Sequence, residues 1–138
     1  MIKKILATAC CLLPLTLSSL AFADDGHQHS ETICSTENTA ICAHLGMPKA
    51  FNTRDEARFI AHVEIADEAP VSDMKVDLVM NMDGHKHGTA PVTLKDMGKN
   101  HFLVSNAYFV MAGTWTVKLD FTFEGKAYQL DIPVTVAE

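Results

Sequence analysis

Residues 115–136 read WTVKLDFTFEGKAYQLDIPVTV. Apolar side chains alternate with polar ones on both sides of Glu124-Gly125-Lys126, as in two half-buried strands joined by a tight turn. Pro133 has no N–H to donate to a neighbouring strand, so we expect the second strand to lie at a sheet edge. The stretch therefore predicts a β-hairpin and an antiparallel sheet.

The same period of two recurs before the hairpin and predicts four further strands. They cover residues 59–65, 76–82, 92–98 and 101–110. Short strands separated by frequent turn signals are typical of a sandwich of two sheets. We predict an all-β fold, a small antiparallel immunoglobulin-like β-sandwich of about six to seven strands over residues 54–138.

Residues 1–23 have the features of a cleaved signal peptide. Lys3 and Lys4 precede an apolar stretch, residues 5–20, and Ala21-Phe22-Ala23 provides a small-x-small cleavage pattern. We predict cleavage near Ala23, secretion to the periplasm and a mature form without a membrane span.

The mature chain is expected to be acidic. Removing Lys3 and Lys4 from the 11 basic residues leaves 9 against 17 acidic ones, a net charge of −8. Such a surface repels nucleic acid phosphates and suits cationic ligands. We therefore expect no nucleic acid partner.

Residues 24–53 have an irregular polar pattern and are predicted to form a flexible N-terminal arm. The arm carries Cys34 and Cys42, the cysteines that remain after cleavage. In an oxidising compartment they are expected to form a disulfide, and the alternative is a pair of thiolates for a metal or a redox partner. A helix starting at Ser35 would hold their Cα atoms about 12 Å apart, so helix and disulfide exclude each other.

Residues 80–88 read MNMDGHKHG. Thioether sulfur is a soft donor that suits Cu(I), and imidazole suits copper and zinc. Met80, Met82, His85 and His87 are therefore candidate metal ligands, with copper as the expected metal and zinc as the second. The alternative is core packing for the methionines, which continue the apolar face of a strand, and a plain surface role for the histidines.

Strand direction extends this site to a second segment. Alternate connections of an antiparallel sandwich lie at the same end, so we expect Met111 at the same rim as residues 83–90. Met111 is a further candidate ligand, and Trp115 would pack beside the ion; core packing is the alternative for both. This placement requires Ser105–Asn106 to be a bulge, because a hairpin turn there would move Met111 to the opposite end.

The arm contains a secondary candidate metal site formed by His27, His29 and His44. After cleavage near Ala23, His27 is the fourth residue, one position too far for a chelate with the terminal amine. A solvated acidic tail is the alternative interpretation of this segment.

The pattern Met80-Asn81-Met82 with His85, followed by Met111-Ala112-Gly113-Thr114-Trp115, resembles the YtkA-like domain and the related FixH-like domain. The resemblance covers roughly residues 55–135. It implies an extracytoplasmic immunoglobulin-like β-sandwich, and FixH-like members are tied to assembly of copper-containing terminal oxidases. A role in copper handling follows by analogy, because fold and family do not fix function. The chain departs from the family pattern by its Cys/His-bearing arm and by an expected mature form without a membrane anchor. These departures favour a soluble carrier or scavenger over a membrane-embedded assembly role.

These patterns together predict a soluble periplasmic copper-binding protein, a chaperone, scavenger or resistance factor for Cu(I) or Cu(II). Its partners would be the metal ion and an envelope protein such as a copper-transport or oxidase-assembly component. The alternative is a metal-free envelope accessory or protein-interaction module; a redox protein that works through the cysteines is a third interpretation. The sequence has no G-x-S-x-G, H-E-x-x-H or phosphate-loop motif, so we predict that it is not an enzyme.

Overall fold

The computed structural model describes residues 28–82 and 85–138, with residues 81 and 85–87 described by their backbone alone. These residues form eleven strands and one 3₁₀ turn, Ala66–Glu68. The strands are β1 (Gln28–His29), β2 (Ile33–Cys34), β3 (Cys42–Met47), β4 (Phe51–Asn52), β5 (Ala57–Glu64), β6 (Ser72–Met82), β7 (His85–Gly88), β8 (Thr93–Asp96), β9 (His101–Ala107), β10 (Gly113–Phe123) and β11 (Lys126–Ala137). The predicted all-β class is confirmed.

The strands form two sheets that pack face to face. The first sheet has the order β1-β3-β5-β9-β8, with β2 also pairing with β3, and the second has the order β4-β11-β10-β6-β7. Pairing is antiparallel except between β4 and β11. Inward-facing side chains of both sheets form one apolar core, as the sandwich prediction requires. The strands beyond the six located in the sequence are β1–β4 and β7.

The hairpin β10–β11 is the centre of the second sheet. The two strands pair continuously along their length, and Trp115, Val117 and Leu119 are fully buried. Glu124 and Gly125 have φ angles of 51° and 77°, which suit a two-residue turn between twisted antiparallel strands. The alternation read from the sequence therefore corresponds to one inward and one outward face.

Pro133 occupies a locally open stretch of β11. It pairs with Thr116 on one side, while β4 reaches β11 only at Val136 and Ala137. Proline has no N–H to donate, so this open side is the position it tolerates.

Part of the segment predicted as a flexible arm belongs to the sandwich. β3 pairs with β5, and Ile41, Ala43 and Leu45 are fully buried in the core. Their period of two spans only five residues after a polar stretch, which is too short to stand out as a strand in the sequence. The prediction of a flexible arm is therefore corrected for this part, and the core begins upstream of residue 54.

A disulfide joins Cys34 on β2 to Cys42 on β3, and the two residues are directly opposite in the strand register. Between them the chain bends and forms no helix. The Oγ of Ser35 accepts hydrogen bonds from the N–H groups of Glu37 and Asn38, which stabilises a turn. The disulfide is thus confirmed over the competing helix and the free thiolates.

Ser105–Asn106 is a bulge within β9. Ala57 pairs with Ala107 and Phe59 with Val104, so β9 uses one residue more than β5 between these two pairs. Because the strand continues through the bulge, the β9–β10 connection stays at the end of the sandwich where strand direction places it.

Candidate metal sites

The end of β6 and the start of β10 lie side by side at one rim of the sandwich. Val79 pairs with Thr116, one residue from Met80 on β6 and from Trp115 on β10. A Cβ atom added to Gly113 would lie 2.8 Å from Cε of Met80, so the Met80 side chain reaches the start of β10. We call this end the methionine rim, which comprises Met80, Met82, Met111 and β7.

The two histidines of the MNMDGHKHG motif follow in β7. The β6–β7 register pairs Met80 with His87 and Met82 with His85. β6 and β7 are therefore paired strands, and residues 83 and 84 lie outside the described residues. The backbone aligns each methionine of the motif with one histidine.

The methionines differ in exposure. Met80 is 7% exposed and belongs to the core, whereas Met82 is 40% exposed. Met111 is half-buried against the core. Met97 is 53% exposed and lies after β8, at the opposite end of the sandwich. Met82 and Met111 are therefore the accessible thioethers of the rim, while Met80 serves packing as well.

Trp115 is fully buried and holds the turn that carries Met111. Its Nε1–H donates a hydrogen bond of 2.9 Å to the carbonyl oxygen of Met111. Its ring packs edge-on against Phe109, with ring centroids 5.2 Å apart. Trp115 is therefore a core residue, and it contributes to the methionine rim by fixing the turn that carries Met111.

A second group of metal-competent side chains lies on the outer face of the first sheet. His29, His44, His62 and His101 stand on β1, β3, β5 and β9, and we call them the histidine row. Ring centroids are 5.4 Å apart for His29 and His44, 5.1 Å for His44 and His62, and 3.8 Å for His62 and His101. The register pairs His44 with His62 and His62 with His101, so neighbouring strands bring their histidines to one level.

Glu64 extends this row into a cluster of three. Ligand atoms of His44, His62 and Glu64 all lie within 4.8 Å of one another. The Nδ1 of His44 is 2.9 Å from Oε1 of Glu64, close enough for an ion pair when the imidazole is protonated. Within the described part of the chain, this buried nitrogen has no hydrogen-bond partner, an arrangement that lowers stability unless an ion or proton compensates it.

Burial lowers the pKa of His62 below its ordinary value of 6.5. The neighbouring imidazoles of His101 and His44 lower the pKa further, and Glu64 and Glu68 act in the opposite direction. At neutral pH, His62 is therefore an uncharged imidazole, whose lone pair can accept a proton or a metal ion.

The histidine row forms one wall of a surface groove with a volume of about 380 Å³. The remaining lining residues are Gly46, Pro48, Arg58, Phe59, Ile60 and Leu103. Apart from Arg58 this lining is apolar, so the imidazoles are the main polar groups that a ligand would meet.

The sequence predicts only part of this row. It proposes His27, His29 and His44 as a secondary site, and the structure brings His29 and His44 together, while His27 lies outside the described residues. His62 and His101 are absent from that prediction. Both occupy polar positions on predicted strands, but their alignment depends on strand register, which a single sequence pattern does not provide.

The disulfide lies at the end of the sandwich away from the methionine rim. Cys42 pairs with Glu64 at the end of β5, whereas the β9–β10 connection follows Ala107, which pairs with Ala57 at the start of β5. The bonded sulfurs are not thiolates, so they offer no ligand to a metal. The disulfide therefore lies beside the histidine row.

The fold and the Cys34–Cys42 disulfide define a small disulfide-bonded antiparallel β-sandwich. The YtkA-like family matches residues 37–120, and the chain belongs to this family. The match includes the methionine rim and three of the four row histidines. No curated protein and no solved structure shows significant similarity to the chain. The described ranges contain no helix with the length and hydropathy of a membrane span.

Proposed function

We propose that the protein is a periplasmic copper-binding protein that holds copper at the methionine rim and acts as a chaperone, scavenger or resistance factor. The observation that carries this proposal is the β6–β7 register, which pairs Met80 with His87 and Met82 with His85. Thioether and imidazole donors at paired backbone positions are a ligand set that suits Cu(I). The third methionine, Met111, adds sulfur from the neighbouring turn.

The exposure of the methionines indicates the order in which the donors would bind an ion. Met82 and Met111 are accessible and would bind an arriving ion first. His85 or His87 would complete a three- or four-coordinate site, with the sulfur of Met80 as the donor nearest the core. Because two of these ligands lie at the surface, a partner could take the ion by stepwise ligand displacement.

Two features support a periplasmic location. Residues 1–23 have the pattern of a signal peptide, and the Cys34–Cys42 disulfide is the state expected in an oxidising compartment. In such a compartment a copper protein meets both oxidation states, and a mixed thioether and imidazole site can accept both.

The test is a Cu(I) competition titration of the mature protein against a chromophoric Cu(I) chelator, without oxygen. The variant Met80→Leu/Met82→Leu keeps side-chain volume nearly constant and removes two sulfur donors. We expect one Cu(I) per wild-type chain and a fall in affinity of at least about a hundredfold in the variant, since even indirect partners of metal ligands contribute about 10–100-fold.

Met97→Leu is the matched control, because it removes an exposed thioether at the opposite end of the sandwich. Its Cu(I) affinity should equal that of the wild type. Equal affinity in the Met80→Leu/Met82→Leu variant would refute the assignment of the rim, and an equal loss in both variants would point to scattered sulfur binding.

A metal-free interaction module is the second candidate, and one observation favours it. Tyr108 and Val110 are 52% and 64% exposed next to Met111, and apolar side chains gathered at a rim are typical of protein contact sites. Wild-type protein that retains neither Cu(I) nor Cu(II) after dialysis would support this candidate over the copper proposal.

A further inference from the structure

The outer face of the first sheet carries a second donor set, separate from the methionine rim in position and in chemistry. His44 and His62 are directly paired on β3 and β5, and Glu64 follows two residues after His62 on the same face of β5. Their ligand atoms lie within 4.8 Å of one another. Two ring nitrogens and a carboxylate oxygen can therefore approach a single point.

The surroundings of His44 are unusual for an ordinary surface histidine. Its Nδ1 is buried and lacks a hydrogen-bond partner among the described residues, although an oxygen of Glu64 lies only 2.9 Å away. Buried polar atoms of proteins are nearly always paired. A cation held between the imidazole and the carboxylate would satisfy both groups at once.

The neighbouring His101 restricts the orientation of His62. The two rings stack with centroids 3.8 Å apart and planes 14° from parallel. His101 is itself fixed, because its Nδ1 is 2.8 Å from the carbonyl oxygen of Lys99, to which a protonated Nδ1 donates. Hydrogen bonds of this kind orient the imidazoles around metal sites, and here the orientation passes to His62 by stacking.

The chemistry of the three donors selects the class of ion. Two imidazoles and one carboxylate form the protein ligand set of zinc sites that keep a fourth position open. Thioether sulfur, which suits Cu(I), is absent from the cluster, and a hard ion such as Mg²⁺ prefers oxygen donors alone. The cluster therefore suits a divalent ion of the zinc class.

We propose that His44, His62 and Glu64 form a metal site for one divalent zinc-class ion, independent of the methionine rim. His44 and His62 also line the groove, which would give water or a small anionic ligand access to a fourth coordination position. The site does not require the copper proposal to be correct, since it shares no donor with the rim.

The test uses Zn(II) as the probe, because thioethers bind it poorly and it has no redox chemistry. Metal-stripped mature protein is titrated with Zn(II) by calorimetry and by competition with a chromophoric indicator. We expect one equivalent to bind the wild type, with a loss of affinity of at least about 10–100-fold in His62→Gln and in Glu64→Gln. The imidazole NMR signals of His44 and His62 should shift together as Zn(II) is added.

Two controls make the result specific. His29→Gln removes a row histidine outside the three donors, and its Zn(II) affinity should stay within about twofold of the wild type. The rim variant Met80→Leu/Met82→Leu should bind Zn(II) normally, while His62→Gln should keep normal Cu(I) binding. The histidine changes lie on the outer face of the first sheet, and Met80→Leu/Met82→Leu nearly conserves side-chain volume. Circular dichroism verifies the fold of each variant.

Three outcomes would overturn the site. The first is the absence of Zn(II) binding by the wild type, which would leave His44 and Glu64 as an ion pair. The second is unchanged binding in both His62→Gln and Glu64→Gln. The third is an equal loss in His29→Gln, which would show diffuse binding along the row. A failure of the copper test leaves these outcomes distinguishable, because Zn(II) and Cu(I) are measured separately.

Discussion

Met80 and Met82 of the methionine rim lie on the inward-facing side of their strand, whereas the histidines of the histidine row lie on the outward-facing side of theirs. Met80 and Met82 continue the inward-facing series of β6 and end at the rim, with Met80 in the core. The histidines of the row alternate with buried residues on β3 and β5 and therefore face outward. The first group offers soft sulfur, and the second offers nitrogen and carboxylate oxygen.

With the two proposed sites, one small sandwich would separate two classes of metal. An apolar series can continue into thioethers without a polar penalty, so soft donors accumulate where a core-facing strand reaches the surface. Imidazoles and carboxylates need water or polar partners and therefore occupy the outer face. The burial of a position therefore decides whether it carries a soft sulfur ligand or a harder nitrogen or oxygen ligand.

The largest effect that separates the two regions is expected from removal of the disulfide. In Cys34→Ser/Cys42→Ser, a short loop is opened and the free energy of unfolding should fall by about 2–3 kcal/mol. Because Cys42 pairs with Glu64, Zn(II) affinity should fall as well, while Cu(I) affinity should not change. Urea denaturation and the two metal titrations measure these quantities, and a parallel loss of Cu(I) binding would contradict the separation of the regions.

A smaller effect, confined to the rim, is expected from Gly113→Ala. The new Cβ would lie 2.8 Å from Cε of Met80, at a φ of 131° that side chains rarely adopt. The Met80 side chain must move, so we expect a loss of about 1–2 kcal/mol in unfolding free energy and weaker Cu(I) binding, with Zn(II) binding unchanged.

Gly98→Ala is the control for that variant. Gly98 also has a positive φ, 83°, but no atom lies within 4 Å of its added Cβ. It should lose stability through backbone strain alone and keep normal Cu(I) affinity. If both glycine variants bind Cu(I) as the wild type does, the position of Met80 is irrelevant to copper.

The smallest expected effect is a pH dependence of folding stability that arises from the histidine row alone. Burial, with the charges of His101 and His44, holds the pKa of His62 below 6.5, against Glu64 and Glu68. The unfolded chain therefore takes up a proton before the folded one, and stability falls as the pH drops below about 6.5 towards the folded pKa. Urea denaturation of metal-free protein should show a smaller loss between about pH 7.5 and pH 5 in His62→Gln than in the wild type. Equal losses would mean that His62 is not the group responsible.

The parts of the structure that the sequence predicts are those with long regular patterns. The alternation on both sides of Glu124-Gly125-Lys126 predicts the β10–β11 hairpin, and strand direction predicts that Met111 and Met80 lie at the same rim. The family resemblance likewise holds. These inferences need only local periodicity and the antiparallel rule.

The structural features that the sequence does not predict depend on strand register or on short sequence patterns. Ile41, Ala43 and Leu45 form too brief a series to distinguish a core strand from an arm. Asn106 is compatible with a turn and with a bulge, so only the pairing of β5 with β9 separates the two. His44 and His62 are 18 positions apart in the chain, and nothing in either segment specifies that they become direct neighbours.

The scattering of the histidine row along the chain has a consequence for the lifetime of the protein. Strands β3 and β5 must both be in place before the donors converge, so the unfolded polypeptide has no equivalent of this site. An ion bound there stabilises the folded state by mass action, by about 2.7 kcal/mol when its free concentration is about a hundred times the dissociation constant. Proteolytic clearance of the protein would then slow when the surrounding medium is rich in such ions and accelerate when it is depleted.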